Sequence, residues 1–89
     1  MHEIQRTGQF KRDVKLAQKR GRDTGDLRTV IEFLAQGQGL PAGYRDHPLK
    51  GVFKDCRECH IGADWLLIYR LEGQVIQLVR TGTHADLFR

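Results

Sequence analysis

The fold of this chain is decided by residues 64–82, DWLLIYRLEGQVIQLVRTG. Residues 65–71 are apolar on both faces, which predicts a strand in the middle of a sheet. Glu72-Gly73 predicts a turn, and residues 74–81 predict the antiparallel strand that follows it. The stretch therefore predicts a β-hairpin whose first strand is central.

The segments upstream complete an α+β domain that spans residues 1–89. Residues 52–60 predict a strand joined to 65–71 by a turn at 61–64. Residues 2–6 predict a short strand, and two apolar stripes predict helices, one over 9–20 (Phe10, Val14, Ala17) and one after Asp23 or Thr24 (Leu27, Val30, Ile31, Leu34). The order β-α-α-β-β-β predicts two N-terminal helices on one face of a small, mainly antiparallel, four-stranded sheet, with the other face open.

Positive charge is concentrated at the N-terminal end. The net charge is +4, and residues 1–22 carry seven basic and two acidic side chains, or +5, which leaves −1 for the rest. We expect the first helix to present a basic face to RNA or to an acidic partner, formed by Lys11, Arg12, Lys15, Lys19 and Arg20. The alternative is an ordinary solvated helix face.

Two features bear on location and cofactors. No stretch approaches the roughly 18–20 apolar residues of a membrane span, and no apolar signal segment is present, so we expect a cytoplasmic protein without membrane contact. Cys56-Arg57-Glu58-Cys59-His60 matches the haem-attachment pattern, but the only methionine is Met1 and export is not indicated. Cysteines three apart in a strand point to opposite faces, with Cα atoms about 10 Å apart. That is too far for a disulfide and awkward for binding one metal ion together. We therefore expect reduced cysteines, no metal and no cofactor.

Hairpin geometry gathers several polar side chains at one end of the sheet. Folding the turns sets His60 opposite Trp65 and Trp65 opposite Arg80, with His84 a few residues beyond. Opposed residues lie about 4.5–5.5 Å apart, so these side chains can share a site. His47 precedes the far end of strand 52–60, which spans roughly 25–30 Å. It reaches the site only if a loop folds back over the sheet.

These residue types match the needs of RNA cleavage, in which a 2′-OH attacks the adjacent phosphorus and expels the next 5′-oxygen. His60 and His84 are candidates for the proton transfers, because imidazole exchanges protons near neutral pH. Asp64 is a candidate for orienting a histidine or contacting the 2′-OH, and Arg80 for stabilising charge on the phosphate. Trp65 and Phe88 are candidates for stacking on an unpaired base.

Each of these residues also has a purely structural interpretation. A single histidine is more often a surface or hydrogen-bonded residue than a catalytic one. Trp65 fits a core position, and Phe88 can simply pin the C-terminal tail. The functional interpretation depends on several of them converging.

The chain resembles the YafQ family of the RelE/ParE toxin superfamily over essentially its whole length. The resemblance is carried by Asp46-His47-Pro48-Leu49-x-Gly51, Arg57-x-x-His60, Asp64-Trp65-x-Leu67-Ile68-Tyr69, Arg80-Thr81-Gly82-Thr83-His84-Ala85-x-Leu87-Phe88, and Lys11-x-Asp13-Val14-Lys15-Leu16-Ala17-Gln18-Lys19-Arg20. It implies a RelE-like fold and a bacterial type II toxin that cuts mRNA in the ribosomal A site without a metal.

Carried over position by position, the family's functional residues fall on His47, His60, Asp64, Trp65, His84 and Phe88. The resemblance thus includes His47. Which histidine is acid and which is base does not follow from the sequence; our own assignment is His84 as acid, with His47 or His60 as base and Asp64 assisting. It implies as partners the 70S ribosome with mRNA and a DinJ-like antitoxin, with operator DNA bound only through the antitoxin complex. Two alternatives stay open: a ParE-like inhibitor of gyrase, which would not need the histidines, and a non-catalytic domain that binds RNA or protein.

Overall fold

The computed structural model describes residues 2–88; Met1 and Arg89 of the predicted domain lie outside them. The elements are, in chain order, β1 (Glu3–Arg6), α1 (Gly8–Lys19), α2 (Thr24–Ala35), β2 (His47–Pro48), β3 (Arg57–Gly62), β4 (Trp65–Glu72), β5 (Val75–Gly82) and α3 (His84–Phe88). Two short 3-10 turns, Ala42–Tyr44 and Gly51–Phe53, flank β2. The strands form one sheet in the order β1-β5-β4-β3-β2.

The α+β class and the two N-terminal helices on one face are confirmed, but the predicted strand count is wrong. The sheet has five strands, because His47–Pro48 forms an additional short pair with β3. A third helix, α3, follows β5. Both elements are too short to give a periodic pattern of apolar residues. The sheet is mainly antiparallel, with β1 parallel to β5.

Side-chain caps set where the two long helices begin. The Thr7 hydroxyl accepts a hydrogen bond from the Phe10 amide at 2.9 Å, and the Asp23 carboxylate accepts one from Gly25 at 2.8 Å. Each cap satisfies an amide that has no partner within the helix. The apolar stripes then pack against the sheet, with Phe10, Ala17, Leu27, Val30 and Leu34 all buried.

Strand β4 is central, as its sequence predicts. Residues Trp65 to Tyr69 are all buried, and alternate side chains enter two different cores. The larger core lies under α1 and α2 and includes Trp65, Leu67 and Tyr69; the smaller lies on the opposite face and comprises Leu66, Ile68, Cys56 and Leu87, with Leu49, Phe53 and Val79 packed around them. One end of the face expected to be open is therefore covered by the β2–β3 loop and α3.

The strand register differs from simple hairpin folding. The first hairpin turns at Ala63-Asp64, one residue later than predicted, so Trp65 pairs with Gly62. The ladder then shifts between His60 and Gly62, so His60 pairs with Leu66. The second hairpin turns at Gly73-Gln74 instead of Glu72-Gly73, since Glu72 pairs with Val75, and a further shift lies between Ile68 and Tyr69. Arg80 therefore pairs with Ile68 instead of Trp65. Such bulges redirect the side chains that follow them, and both corrections bear directly on the site.

Candidate active site

Three histidines and a phenylalanine form a continuous row at one end of the sheet. The ring centroids of His47 and His60 lie 6.3 Å apart, those of His60 and His84 6.0 Å, and those of His84 and Phe88 6.2 Å. The His60 side chain is 25% exposed and that of His84 is 58% exposed. The structure thus brings His60 and His84 together, as the sequence predicted, adds His47 and Phe88 beside them, and leaves both predicted rings accessible. We call these four residues the imidazole row.

His60 enters the row from β3. The neighbouring Cys59 and Ile61 pack into the core under the helices. Because side chains alternate along a strand, His60 points to the opposite face of the sheet. Alternation also places Glu58 on the same face as His60.

His47 joins the row because the chain reverses sharply after β2. The Leu49 amide donates to the Cys56 carbonyl at 2.9 Å, which closes a tight loop. Gly51 and Asp55 within it adopt positive φ angles of 72° and 72°. The predicted strand 52–60 therefore begins only at Arg57. The sequence estimate that placed His47 far away was wrong, because it treated this loop as extended strand.

His84 is held by Asp64, which lies in the β3–β4 turn. Asp64 Oδ1 accepts hydrogen bonds at 3.0 Å from both the backbone amide and Nδ1 of His84. These two hydrogen bonds lower the pKa of Asp64, with the backbone bond contributing most. The expected pairing of Asp64 with a histidine is present, and it leaves Nε2 of His84 free of intramolecular hydrogen bonds among the described residues.

His47 has a different partner. Its Nδ1 lies 2.7 Å from the carbonyl oxygen of Arg45, which adopts a left-handed backbone conformation with φ of 52°. A carbonyl oxygen only accepts hydrogen bonds, so Nδ1 must carry the proton in this contact. Nε2 of a neutral His47 ring is then the nitrogen with a free lone pair.

Glu58 is a neighbour of the site that sequence reasoning missed. It is 4% exposed, and its carboxylate lies 3.5 Å from Nε2 of His60. A buried carboxylate is energetically costly unless it is paired, and His60 is a partner within reach of Glu58. The available signal was a charged residue two positions before His60, and therefore on the same face of the strand.

The stacking role predicted for Trp65 does not fit its position. The side chain is 2% exposed within the core under the helices, and its Nε1 donates to the Thr81 hydroxyl at 2.9 Å. The Arg22 guanidinium covers the ring at 5.3 Å and donates to the carbonyls of Ala63 and Asp64. Trp65 therefore supports the turn that presents Asp64 and is not available to a base.

Arg80, predicted to stabilise charge on the phosphate, has a partner that the sequence did not predict. Its Nε and Nη2 donate to the two oxygens of Asp13, both at 3.0 Å. Asp13 lies on α1 with a side chain only 6% exposed, on the helix side of the sheet. Arg80 is thus engaged in an ion pair with Asp13.

Four of the five predicted basic-face residues are exposed on α1: Lys11, Arg12, Lys15 and Lys19. The fifth, Arg20, is exposed but engaged, because its guanidinium donates to Asp86 at 2.7 Å. Arg20 therefore belongs to the contacts around α3, and we remove it from the set free to bind RNA.

The two cysteines have no place in the site. Both are free and buried, Cys59 in the core under the helices and Cys56 in the core on the other face. Burial raises the pKa of the Cys59 thiol to about 12, which disfavours its thiolate. No helix within residues 2–88 is long and apolar enough to cross a membrane.

Comparison with known proteins places this geometry in a family. Residues 2–89 match the model of a bacterial toxin of type II toxin-antitoxin systems, YafQ. The mRNA interferase toxin YafQ of Escherichia coli K12 is 46% identical over 97% of this chain and 95% of its own length. A crystal structure of YafQ from E. coli BL21(DE3) superimposes with a TM-score of 0.95 at 43% identity, covering all of both chains. YafQ in an E. coli DinJ-YafQ complex gives 0.93 at 44% identity, again over all of both chains.

Fold, site and relatives together define the class: a small endoribonuclease toxin of the type II toxin–antitoxin kind. Within that class, the chain belongs to the YafQ family.

Proposed function

We propose that this toxin cleaves mRNA in the A site of the translating ribosome, by proton transfer without a metal. The imidazole row is the observation that carries the proposal, because it supplies three histidine rings whose neighbouring centroids lie 6.0 and 6.3 Å apart, enough for a base, an acid and a central ring. In the reaction, the 2′-oxygen attacks the adjacent phosphorus and the 5′-oxygen leaves. The products are a 2′,3′-cyclic phosphate and a 5′-hydroxyl.

His47 is the proposed general base. Its Nδ1 donates to the Arg45 carbonyl, so Nε2 carries the lone pair that removes the 2′-OH proton. The same hydrogen bond fixes the plane of the ring, which a general base needs in order to meet one particular proton.

His84 is the proposed general acid. The Asp64 carboxylate accepts a hydrogen bond from Nδ1 and stabilises positive charge on the ring. Nε2–H is then the donor that protonates the departing 5′-oxygen. Because the pKa of Asp64 is lowered, this carboxylate stays ionised throughout the neutral range.

His60 lies between these two rings, so it is the proposed contact for the phosphate itself. Phe88 is 45% exposed beside His84 and packs edge-on against Phe53 at 5.8 Å. A base next to the scissile phosphate would stack there, with an expected contribution of about 1–3 kcal/mol.

The exposed basic face of α1 suits two partners of the cytoplasm, the ribosome and an acidic segment of a DinJ-like antitoxin. Lys11, Lys15 and Lys19 are exposed there, and each phosphate contact adds to the salt dependence of binding. We propose that operator DNA is reached only through the antitoxin complex. Ribosome binding should weaken steeply with salt, and Lys11→Ala with Lys15→Ala should flatten that slope.

Primer extension on a translated mRNA tests the proposal. Wild type should give discrete cuts at codon positions, whereas His60→Ala and His84→Ala should lose them. His2→Ala is the matched control, because that ring lies against Gly37, outside the imidazole row. An mRNA with a 2′-deoxy nucleotide at the cut position should resist cleavage. Uncut mRNA together with stalled gyrase would favour the ParE-like alternative, and normal cutting by both variants would refute the mechanism.

A further inference from the structure

Helix α3 carries two members of the imidazole row on a single turn. It spans only His84–Phe88, five residues. Isolated helices shorter than about 12–15 residues are marginal in water, so α3 depends on its contacts for its position. Residues outside the site therefore help to place the His84 ring, together with its hydrogen bonds to Asp64.

Asp86 makes several of the hydrogen bonds that hold α3 in place. Its Oδ2 accepts a hydrogen bond from the Thr83 amide at 3.0 Å, while the Thr83 hydroxyl accepts one from the Asp86 amide at 3.1 Å. This reciprocal arrangement is a capping box, with aspartate in the position usually held by glutamate or glutamine. It satisfies two amides at the start of the helix.

The same carboxylate ties α3 to α1. Arg20, at the C-terminal end of α1, donates to Asp86 Oδ2 at 2.7 Å and to Oδ1 at 3.4 Å. The hydrogen bond to Arg20 is the largest cause that lowers the pKa of Asp86 to about 2. A Cβ at Gly82 would lie 2.9 Å from Asp86 Oδ2 and 3.0 Å from its Cβ. The Asp86 side chain is thus held between Arg20, Thr83 and the backbone of β5.

We propose that Asp86 is a positioning residue for RNA cleavage, which acts with Arg20 to hold α3 so that His84 meets Asp64. The inference rests on the proposed function, in which His84 is the acid. Asp86 itself contacts none of the rings of the imidazole row. Its role is to fix the helix that carries two of them, and a misplacement of about 1 Å at a reacting group can cost about 10²-fold in rate.

If Asp86 served only the stability of the fold, Asp86→Asn would lower cleavage only to the extent that it unfolds the protein. The Arg20–Asp86 pair is partly exposed, at 44% and 24% of the two side chains, and exposed pairs contribute little to global stability. Asp86→Asn should therefore lose only a small part of the free energy of unfolding and stay folded, while the proposed acid, His84, is displaced. The Asp86→Asn variant should therefore lose kcat without a comparable loss of stability.

Single-turnover cleavage of ribosome-bound mRNA provides the first test. Asp86→Asn should lower kcat by about 10–100-fold with little change in KM. Gly82→Ala is an independent variant, since the added methyl group must displace Asp86, and it should act in the same direction. Glu72→Gln is the matched control: it removes a carboxylate from the 2.6 Å Arg70–Glu72 pair and should cut normally.

A double variant tests whether Arg20 works through Asp86. Arg20→Gln with Asp86→Asn should cut no more slowly than Asp86→Asn alone. If the two losses multiply, Arg20 acts separately, and this part of the proposal is overturned. Wild-type kcat in Asp86→Asn, or a rise in KM alone, would overturn the positioning role.

NMR of the His84 side chain separates this inference from the proposed function. The Nδ1 resonance of free protein reports the contact with Asp64 without RNA or ribosome. It should shift in Asp86→Asn and Gly82→Ala and stay unchanged in Glu72→Gln. An unchanged resonance in both site variants would refute the positioning role even if mRNA is cut as proposed. If wild type cuts no mRNA, the resonance still decides whether Asp86 places His84.

Discussion

The ion pair that the structure assigns to Arg80 gives a quantitative prediction for Asp13→Asn. The Asp13 carboxylate is 6% exposed and accepts four hydrogen bonds, from Gln9, twice from Arg80, and from the Thr81 amide. Asparagine keeps the size but replaces one acceptor oxygen with an NH₂ group that faces donors. The Arg80 charge then loses its partner.

Removing one partner of a buried ion pair costs about 3–5 kcal/mol, and we expect about 3 kcal/mol, because Arg80 remains 27% exposed. For a domain of this size, 1 kcal/mol shifts Tm by about 4–8 °C, so the expected loss is about 12–24 °C. Urea unfolding followed by fluorescence of Trp65, the single tryptophan, measures the change directly. The exposed Arg70–Glu72 pair is the control, and Glu72→Gln should cost less than about 1 kcal/mol.

Cleavage distinguishes this account from the role that the sequence suggested for Arg80. Well below its unfolding midpoint, Asp13→Asn should retain most of its kcat, since neither residue of the pair contacts the imidazole row. Wild-type stability in Asp13→Asn would refute the energetic reasoning. A stable Asp13→Asn variant with a large loss of kcat would instead support the contact between Arg80 and the phosphate that the sequence suggested.

Three further predictions concern Asp64, Trp65 and Asp86. Asp64→Asn should lower kcat by about 10²-fold or more with little loss of stability, because it removes the charge beside the proposed acid, His84; unchanged single-turnover cleavage would exclude this role. Trp65→Phe should cost about 1–2 kcal/mol through the lost hydrogen bond to Thr81 and should cut normally once folded, and a loss of RNA affinity with unchanged urea stability would contradict the assignment. The depressed pKa of Asp86 stabilises the fold above its ordinary value of 3.8, and this contribution is lost as pH falls toward about 2. Acid titration should therefore show a step in that window that Asp86→Asn lacks; identical titrations would contradict it.

The central hairpin and both N-terminal helices could be predicted because their apolar patterns are regular. His60 and His84 could be brought together for the same reason, since each lies next to an element of that hairpin. His47 could not, because its position depends on a reversal at Gly51 and Asp55 that looks like strand in the sequence.

The positions of Trp65 and Arg80 could not be predicted for two physical reasons. Both hairpins turn one residue later than predicted, and ladder shifts beside His60 and between Ile68 and Tyr69 alter the register further. Arg80 also finds a partner, Asp13, that is 67 residues away along the chain. Such a pairing depends on how α1 docks on β5, which local patterns do not determine.

We propose above all that histidines from distant parts of the chain share one reaction, with His47 as base and His84 as acid. It is tested most directly with an mRNA carrying sulfur in place of the 5′-oxygen at the cut site, because a thiolate leaves without being protonated. We expect this substrate to restore cleavage by His84→Ala but not by His47→Ala. Restoration of His47→Ala, or of neither variant, would contradict it.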